Sequence, residues 1–325
     1  MAHILFVVDE AYARHLPVAM NSILRHARAP VTFHIVHAAI ARPTREAIAA
    51  YVEGRAACLW HAEPQNPLLG LDVYLPHVSS ASFLRLVADT VVPPEVTRVV
   101  YLDVDVLVLD DIARIASIDL QGRSVGAVAD PGVDPREFAS TYGLGGPGLY
   151  FNAGVMVMDL EAIRTRGSLA RAREAAEGGR FSYGDQDILN ICFWGDALAL
   201  APRWNVQRNA FYRERTPETP PAILHFTDDL KPWSSAEWHP RAYDYLVYLA
   251  NTPFADEIRH EGGLTHTVAL RWRVRRARHE LRCMRAHLRR RSSGAARSPD
   301  DRSARERPTG HELSPGARHG STADR

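Results

Sequence analysis

The amino-acid sequence predicts an open α/β fold whose central sheet is mostly parallel. In the first 62 residues, short apolar runs rich in β-branched residues alternate with segments of helical pattern, as in strand–helix–strand units. A longer apolar run, residues 98–110, is typical of a strand buried on both faces. The length of 325 residues suffices for one large α/β domain with an appendage.

The spacing of apolar residues predicts the elements in order. We expect strands at 4–8, 31–36, 57–61, just before Asp103, 124–129 and 153–158. We expect helices at 12–27, 43–53, 82–90, 160–178 and 185–194, with Pro17 in an early turn of the first. Residues 64–80 hold three prolines without periodicity and predict a loop or lid, and the glycine-rich segment 142–150 predicts a turn region.

Charge is unevenly distributed along the chain. Residues 271–291 contain ten arginines and one glutamate, although the whole chain has a formal net charge of only +1. The first 270 residues are therefore acidic. A basic arm on an acidic body predicts an anionic surface as the partner of the arm, and the acidic body argues against nucleic-acid binding.

Cysteine usage and hydropathy narrow the cellular setting. Three widely spaced cysteines, Cys58, Cys192 and Cys283, suggest neither a disulfide framework nor a metal cluster. The first residues form an apolar run without a basic segment before it, which predicts a strand and not a signal peptide. No stretch of the sequence approaches 18 uninterrupted apolar residues, so we expect no transmembrane helix. We expect a cytoplasmic protein, peripheral on the inner face of the cell membrane.

The run 98–110 carries two carboxylates, Asp103 and Asp105, between apolar flanks. Side chains two positions apart on a strand point to one face. Buried unpaired carboxylates are costly, and a divalent metal with oxygen ligands, Mn²⁺ or Mg²⁺, removes that cost while holding substrate phosphates. The alternative is a strand-end turn with solvated carboxylates.

Two further segments carry candidate site residues. Asp185, Gln186 and Asp187 stand together at a predicted helix start, where they either bind sugar hydroxyls or simply cap the helix. His225 follows an apolar strand and precedes Lys231, the only lysine in a chain whose other cations are arginines. A histidine there is either structural or a metal ligand, and a lysine ammonium binds phosphate as a point charge.

These segments resemble the retaining glycosyltransferases of family 8, the group of glycogenin and bacterial lipopolysaccharide galactosyltransferases. Four elements occur in the family's order between residue 1 and about 235: LFVVDEAY (5–12), YLDVD (101–105), FNAG (151–154) with DQD (185–187), and HFTDDLKPW (225–233). The resemblance implies a GT-A fold and a UDP-hexose donor, UDP-galactose or UDP-glucose, held through Mn²⁺ or Mg²⁺.

The resemblance also implies residue roles. Metal ligation falls to Asp103, Asp105 and His225. The donor and acceptor contacts fall to Val7, Val8 and Asp9 at the uridine, Lys231 at the diphosphate, Arg85, Asn152, Ala153, Asp185 and Gln186 at the sugar, His77 in a lid, Asp130 at the acceptor, and Val104 as a further contact. Two positions depart from the family pattern, because Ala11 replaces an asparagine and Asp228 replaces a glycine.

Retention of configuration has two possible routes here. Double displacement needs a nucleophile, and the amide of Gln186 is a poor one. A front-face route, in which the departing phosphate takes the acceptor proton, is therefore the preferred hypothesis. Asp187 is the carboxylate alternative.

The arginine-rich arm carries an apolar stripe at alternating steps of four and three, formed by Leu270, Val274, Ala277, Leu281, Met284 and Leu288. The stripe fits a coiled coil in a homo-oligomer, a helix packed on the body, or an interfacial helix on anionic lipid, and the charge favours lipid through residues 265–291. We predict a GT-A domain at 1–262, a basic amphipathic helix at 263–291 and a disordered tail at 292–325.

The predicted function is thus transfer of galactose or glucose from a UDP-sugar to a glycan acceptor, such as lipopolysaccharide or another cell-envelope glycan. A lipid-linked acceptor would suit the basic arm. Two alternatives differ in class: a catalytically weak nucleotide-sugar-binding protein, and an arginine-rich nucleic-acid binder.

Overall fold

The computed structural model describes residues 1–37, 39–62, 80–178, 181–212, 219–227 and 229–295. Its strands are β1 Ala2–Val8, β2 Val31–His37, β3 Ala57–Ala62, β4 Arg98–Leu102, β5 Val106–Val108, β6 Val125–Ala129, β7 Phe151–Asp159, β8 Ala197–Ala199, β9 Val206–Gln207 and β10 Ile223–His225. Its α-helices are α1 Glu10–Ala13, α2 Leu16–His26, α3 Arg42–Val52, α4 Ala88–Val91, α5 Ile112–Ala116, α6 Pro135–Tyr142, α7 Leu160–Arg166, α8 Ser168–Gly178, α9 Asp185–Cys192, α10 Asn209–Tyr212, α11 Ala242–Leu249, α12 Ala255–Glu261 and α13 His266–Ala295. Two 3₁₀ helices span Ser80–Val87 and Pro202–Trp204.

The central sheet has seven strands in the order β3-β2-β1-β4-β7-β6-β8. It is mostly parallel, as predicted, but β7 runs antiparallel to both β4 and β6. Ile4 and Phe6 of β1 enter one hydrophobic core, and Leu5 enters the core on the opposite face. Burial on both faces explains why the strands are continuous apolar runs.

Two predicted helices are each divided in two. The segment predicted as one helix from residue 12 to 27 forms α1 and α2, with Pro17 in the first turn of α2, because proline lacks the N–H that a continuing helix needs. The segment 160–178 forms α7 and α8. Gly167 separates them with a φ of 62°, a left-handed conformation that ends a helix.

Asp103 and Asp105 do not lie on a strand, contrary to the geometric argument from the sequence. β4 ends at Leu102, β5 begins at Val106, and the two aspartates occupy the intervening turn. Oδ1 of Asp103 accepts from the hydroxyl of Tyr101 at 2.7 Å, and the backbone N–H of Asp103 donates to the carbonyl of Gly154 in β7 at 2.9 Å. The turn therefore fixes these carboxylates more tightly than an exposed strand end would.

A smaller sheet, in the order β5-β10-β9, continues from this turn. It packs with α11, α12 and the start of α13 in a third hydrophobic core, whose largest members include Trp272 and Tyr245. Trp272 of α13 is buried, and Arg276 pairs with Asp244 of α11 at 2.9 Å. The strand before His225 was predicted and is β10, but its pairing with β5 and β9 was not, because pairing depends on strands distant in sequence. The sequence patterns also did not predict β9, which has only two residues, or the helices α11 and α12.

The chain forms two compact units, Met1–His279 and Glu280–Arg325, and of the second the structure describes residues 280–295 within α13. The stripe residues of the first unit, Leu270, Val274 and Ala277, are exposed, so this part of the stripe does not pack on the body. Among the described residues, no helix is both long enough and apolar enough to cross a bilayer. The predicted tail lies, from residue 296 on, outside the described residues.

Candidate active site

Three side chains with metal-ligand chemistry meet beyond the carboxyl end of β4. Asp103 and Asp105 come from the β4–β5 turn, and His225 ends β10, which pairs with β5 so that His225 lies opposite Val106. Nε2 of His225 is 3.3 Å from Oδ1 of Asp105 and 3.7 Å from Oδ2 of Asp103. One ligand atom from each of the three residues lies within 4.8 Å of the others.

The surroundings of this group suit a divalent cation. Nδ1 of His225 lies 3.0 Å from Oδ1 of Asn205, so Nδ1–H donates to the amide and the Nε2 lone pair faces the two carboxylates. Oδ1 of Asp105 is buried and has no hydrogen-bond donor among the described residues. Gly154 leaves the necessary space, since a Cβ there would lie 2.3 Å from Cε1 of His225 and 2.6 Å from Oδ2 of Asp103. A lone pair and two carboxylates this close need positive charge between them.

Lys231 lies against the same group. Its Nζ donates to Oδ2 of Asp105 at 2.7 Å and to the carbonyl of Phe226 at 3.2 Å. Burial alone would lower the pKa of Lys231, but the carboxylate of Asp105 outweighs burial and raises it. Burial alone would raise the pKa of Asp105, but the neighbouring ammonium of Lys231 lowers it, and the net shift is downward. Both groups are therefore charged at neutral pH.

A second buried ion pair lies beside Asp103. Nε of Arg85 is 2.6 Å from Oδ2 of Asp185, and Nη2 of Arg85 is 3.4 Å from Oδ1 of Asp103. Nη1 of Arg85 donates to the carbonyl of Ala153 at 3.0 Å, and the hydroxyl of Ser82 donates to Asp185 at 3.0 Å. The first turn of α9 is thereby joined to the metal-ligand turn through one guanidinium.

Gln186 is held by an amide network on the other side of Asp185. Its Nε2 donates to Oδ2 of Asp130 at 3.2 Å. Its Oε1 accepts from the side chain of Asn152 at 3.2 Å and from the backbone N–H of Ala153 at 3.1 Å. Both ends of the carboxamide are occupied, so its orientation is fixed before any ligand binds.

Asp187 lies behind this network. It is 2% exposed, and it accepts from the hydroxyl of Tyr150 at 2.6 Å and from the backbone N–H of Tyr183 at 2.9 Å. The Tyr150 hydroxyl also accepts from Nε2 of Gln186 at 3.2 Å. Burial and the neighbouring Asp187 raise the pKa of Tyr150 far above its ordinary value, so this tyrosine stays a donor.

A cavity of about 700 Å³ connects these groups. Of the residues predicted for the site, it is lined by Arg85, Asp103, Asp105, Asp130, Asn152, Asp185, Gln186, His225 and Lys231. The structure does not place Val7, Val8, Asp9, Val104, Ala153 or Asp187 on this cavity. Asp9 instead caps α1, where its Oδ1 accepts from the N–H of Tyr12 at 3.0 Å. His77 and Asp228 lie outside the described residues.

A second cavity of about 560 Å³ lies by the residues that follow β1. Ala11, Tyr12 and His15 line it together with Trp233, whose ring stacks on His15 with centroids 3.8 Å apart. Burial and the neighbouring Arg14 lower the pKa of His15 to about 3, so its ring is neutral. Sequence reasoning missed Tyr12 here, although an aromatic residue just after the first strand was a visible signal.

Arg208 and Trp238 also line the main cavity and were missed by the sequence analysis. The guanidinium carbon of Arg208 lies 5.3 Å from the ring centroid of Trp238. One arginine in a chain with so many carries no local signal, so only its burial distinguishes Arg208 from the others.

The fold and this site define a class of protein, the GT-A glycosyltransferases. The model of glycosyl transferase family 8 matches residues 3–237, and the chain belongs to that family. The predicted resemblance and fold class are thereby confirmed.

Proteins similar to this chain include some whose names state a sugar transfer and one whose name states no activity. The chain is 27% identical over 269 residues to general stress protein A of Bacillus subtilis, covering 77% of this chain and 93% of that protein. It is 27% identical to the lipopolysaccharide 1,2-glucosyltransferase of Escherichia coli, covering 55% and 56% of the two chains. Its structure resembles the galactosyltransferase LgtC, solved with donor and acceptor sugar analogues, with a TM-score of 0.61, 26% identity and coverage of 84% and 99%.

Proposed function

We propose that this glycosyltransferase moves a neutral hexose from a UDP-hexose, with retention of configuration, to a glycan acceptor of the cell envelope. One observation carries the proposal. Asp103, Asp105 and His225 form a group with metal-ligand chemistry, Lys231 pairs with Asp105 of that group, and all four residues line one cavity. A divalent cation and a neighbouring ammonium each stabilise a diphosphate leaving group, and this arrangement offers sites for both.

Asp103, Asp105 and His225 would hold Mn²⁺ or Mg²⁺ in this proposal. When bound, the ion neutralises charge that develops on the diphosphate. Lys231 is already charged, so its ammonium can interact with the diphosphate without first taking up a proton. Removing one such interaction typically costs about a hundredfold or more in turnover.

The positions of Gln186 and Asp187 support a front-face route to retention. Gln186 lines the cavity, but an amide is a poor nucleophile. Asp187 has the better chemistry, but it is buried and its oxygens accept from Tyr150 and Tyr183. In the front-face route the acceptor hydroxyl gives its proton to the departing phosphate, and the enzyme's residues position the two partners.

The charge of the cavity favours a neutral sugar over a uronic acid. Among the described lining residues, Asp103, Asp105, Asp130, Asp185 and Asp229 outnumber the cations Arg85, Arg208 and Lys231. Each of these cations already faces a carboxylate of the protein within 2.7 Å. A sugar carboxylate would therefore enter without a free cation among these residues to receive it.

The exposed face of α13 supports a membrane-bound acceptor. Leu281, Met284 and Leu288 are each more than half exposed, and arginines fill most other positions of residues 271–291. Each basic residue near an anionic bilayer contributes about 1 kcal/mol of binding. An interfacial helix would bring the enzyme to the membrane surface, where a lipid-linked acceptor such as a growing lipopolysaccharide is found.

The first experiment measures UDP release from purified protein offered UDP-galactose, UDP-glucose or UDP-glucuronate, with Mn²⁺ or with EDTA. We expect UDP to be released only in the presence of the metal and a neutral UDP-hexose. Asp103→Ala should abolish this release. Metal-dependent UDP binding without release from either hexose donor would favour the alternative of a catalytically weak nucleotide-sugar-binding protein. Preferred release from UDP-glucuronate would contradict the charge argument.

Flotation with vesicles tests the membrane proposal. Replacing two arginines of α13, Arg282→Gln with Arg289→Gln, should weaken binding to anionic vesicles about tenfold or more. The matched control replaces two exposed arginines of the body, Arg42→Gln with Arg55→Gln, and should bind like the wild type. The electrostatic proposal would be refuted if vesicle binding stayed the same at high salt and in the α13 variant.

A further inference from the structure

A buried ion pair without an assigned role lies beside the segment that joins His225 to Lys231. Arg208 follows β9 and Glu237 follows Lys231 by six residues; each is 1% exposed. Nη1 of Arg208 donates to Oε1 of Glu237 at 3.0 Å, and Nη2 donates to Oε2 at 2.6 Å. The pair is bidentate, the strongest geometry for a guanidinium and a carboxylate.

Further hydrogen bonds from Arg208 hold the segment at two points within it, Thr227 and Leu230. Nε donates to the carbonyl of Thr227 at 2.9 Å, and Nη2 also donates to the carbonyl of Leu230. The backbone N–H of Arg208 donates to the hydroxyl of Thr227 at 3.3 Å. Glu237 is fixed in turn, because its Oε1 accepts from the N–H of His239 at 2.7 Å.

Such a pair contributes little to stability by itself. Removing two charges from water costs about as much as their attraction returns, and apolar residues of similar volume often serve a fold as well. The contacts of Arg208 are instead directed at one segment, whose ends carry a metal ligand and the phosphate-binding candidate Lys231. Arg208 also lines the main cavity, whereas Glu237 does not.

We infer that Arg208 and Glu237 are positioning residues that fix the spacing of His225 and Lys231 for the diphosphate of the donor. The inference rests on the proposed function and adds two residues to it. Arg208 acts through the carbonyls of Thr227 and Leu230, which its guanidinium holds. A displaced segment weakens donor binding and also slows the chemical step, because His225 and Lys231 both act on the diphosphate leaving group.

Calorimetric titration with UDP and Mn²⁺, together with UDP-release kinetics, tests the inference. Glu237→Gln keeps the shape of the side chain, and Arg208→Lys keeps the charge but loses the fork. Both should raise the Kd for UDP and the KM for the donor about tenfold, and should lower kcat by less than about a hundredfold because Lys231 is shifted and not removed. Asp110→Asn is the matched control, because it breaks a half-buried pair with Arg203 that lies outside the cavity.

A double variant separates position from stability. Arg208→Met with Glu237→Leu removes both charges, so it should melt near the wild-type temperature and still bind UDP about tenfold more weakly. Wild-type UDP affinity in a folded variant would overturn the inference alone and leave the pair a structural one. No UDP binding or release by the wild-type protein would overturn the proposed function as well.

Discussion

Gly154→Ala is the sharpest test of the metal centre, because one added carbon enters it directly. The new Cβ would lie 2.3 Å from Cε1 of His225 and 2.6 Å from Oδ2 of Asp103. Ordinary contacts begin at 3.4 Å, so the two side chains must yield by about 1 Å. Such a shift would disturb the hydrogen bond that holds each side chain, from Nδ1 of His225 to Asn205 and from Tyr101 to Oδ1 of Asp103.

Metal ligands tolerate errors of about 0.2 Å, several times less than this displacement. Disturbing even an outer-shell partner costs about ten- to a hundredfold in metal affinity. We therefore expect Gly154→Ala to bind Mn²⁺ at least about a hundredfold more weakly and to lose stability by about 1–3 kcal/mol from overpacking. Mn²⁺ titration by electron paramagnetic resonance measures the first effect, and urea unfolding measures the second.

Gly126→Ala is the control in the same sheet. Its Cβ would lie 2.7 Å from Cδ2 of Leu120 and 3.2 Å from Cδ2 of Leu200, in the core and away from the metal ligands. It should lose a similar amount of stability and keep its affinity for Mn²⁺. Wild-type Mn²⁺ affinity in a folded Gly154→Ala protein would refute the assignment of His225 and Asp103 as ligands.

Three further predictions follow from the buried polar groups. Lys231→Met should lower turnover about a hundredfold, and because Asp105 loses its ammonium, Mn²⁺ should raise the melting temperature of the variant more than that of the wild type; equal shifts would contradict the contact. Asp187→Asn should cost about 1–3 kcal/mol of stability and keep kcat within about tenfold; a thousandfold loss without a change in stability would instead make Asp187 part of the chemical step. Burial lowers the pKa of His15 to about 3 and that of His34 to about 4. Below pH 6.5 these two histidines are therefore protonated in the unfolded chain but remain neutral in the folded protein. The free energy of unfolding should then be level above about pH 7.5 and fall toward pH 5, by about 2 kcal/mol for His15 and less for the less enclosed His34; urea unfolding of His15→Asn should show a shallower slope, and an unchanged slope would exclude this source.

Most of the large sheet followed from the sequence alone. Strands β1, β2, β3 and β6 are apolar runs of five to seven residues, and such runs are recognisable without neighbours. The antiparallel direction of β7 was not recognisable, because direction depends on which strands it pairs with. The strand before His225, which is β10, was also recognisable, but β9 has only two residues and carries no pattern, so the small sheet as a whole went unpredicted.

The residue types of the candidate site were also present in the sequence. Two aspartates in an apolar run, a histidine after a strand and the single lysine each indicated chemistry, because buried charge needs a reason. Their order along the chain identified the family. What each side chain faces was a separate question, and for Asp187 and Asp9 the neighbouring residues in the chain could not decide it.

Tertiary structure alone decided those directions. Asp187 is a carboxylate beside Gln186 in the chain, yet the hydroxyl of Tyr150 turns it away from the cavity. Arg208 is one arginine among many, yet its hydrogen bonds to Glu237 and to backbone carbonyls hold it beside the segment that joins His225 to Lys231. Composition and periodicity depend on each residue and its near neighbours in sequence. Hydrogen-bond partners 29 or 37 residues apart are set only when the strands between them have paired.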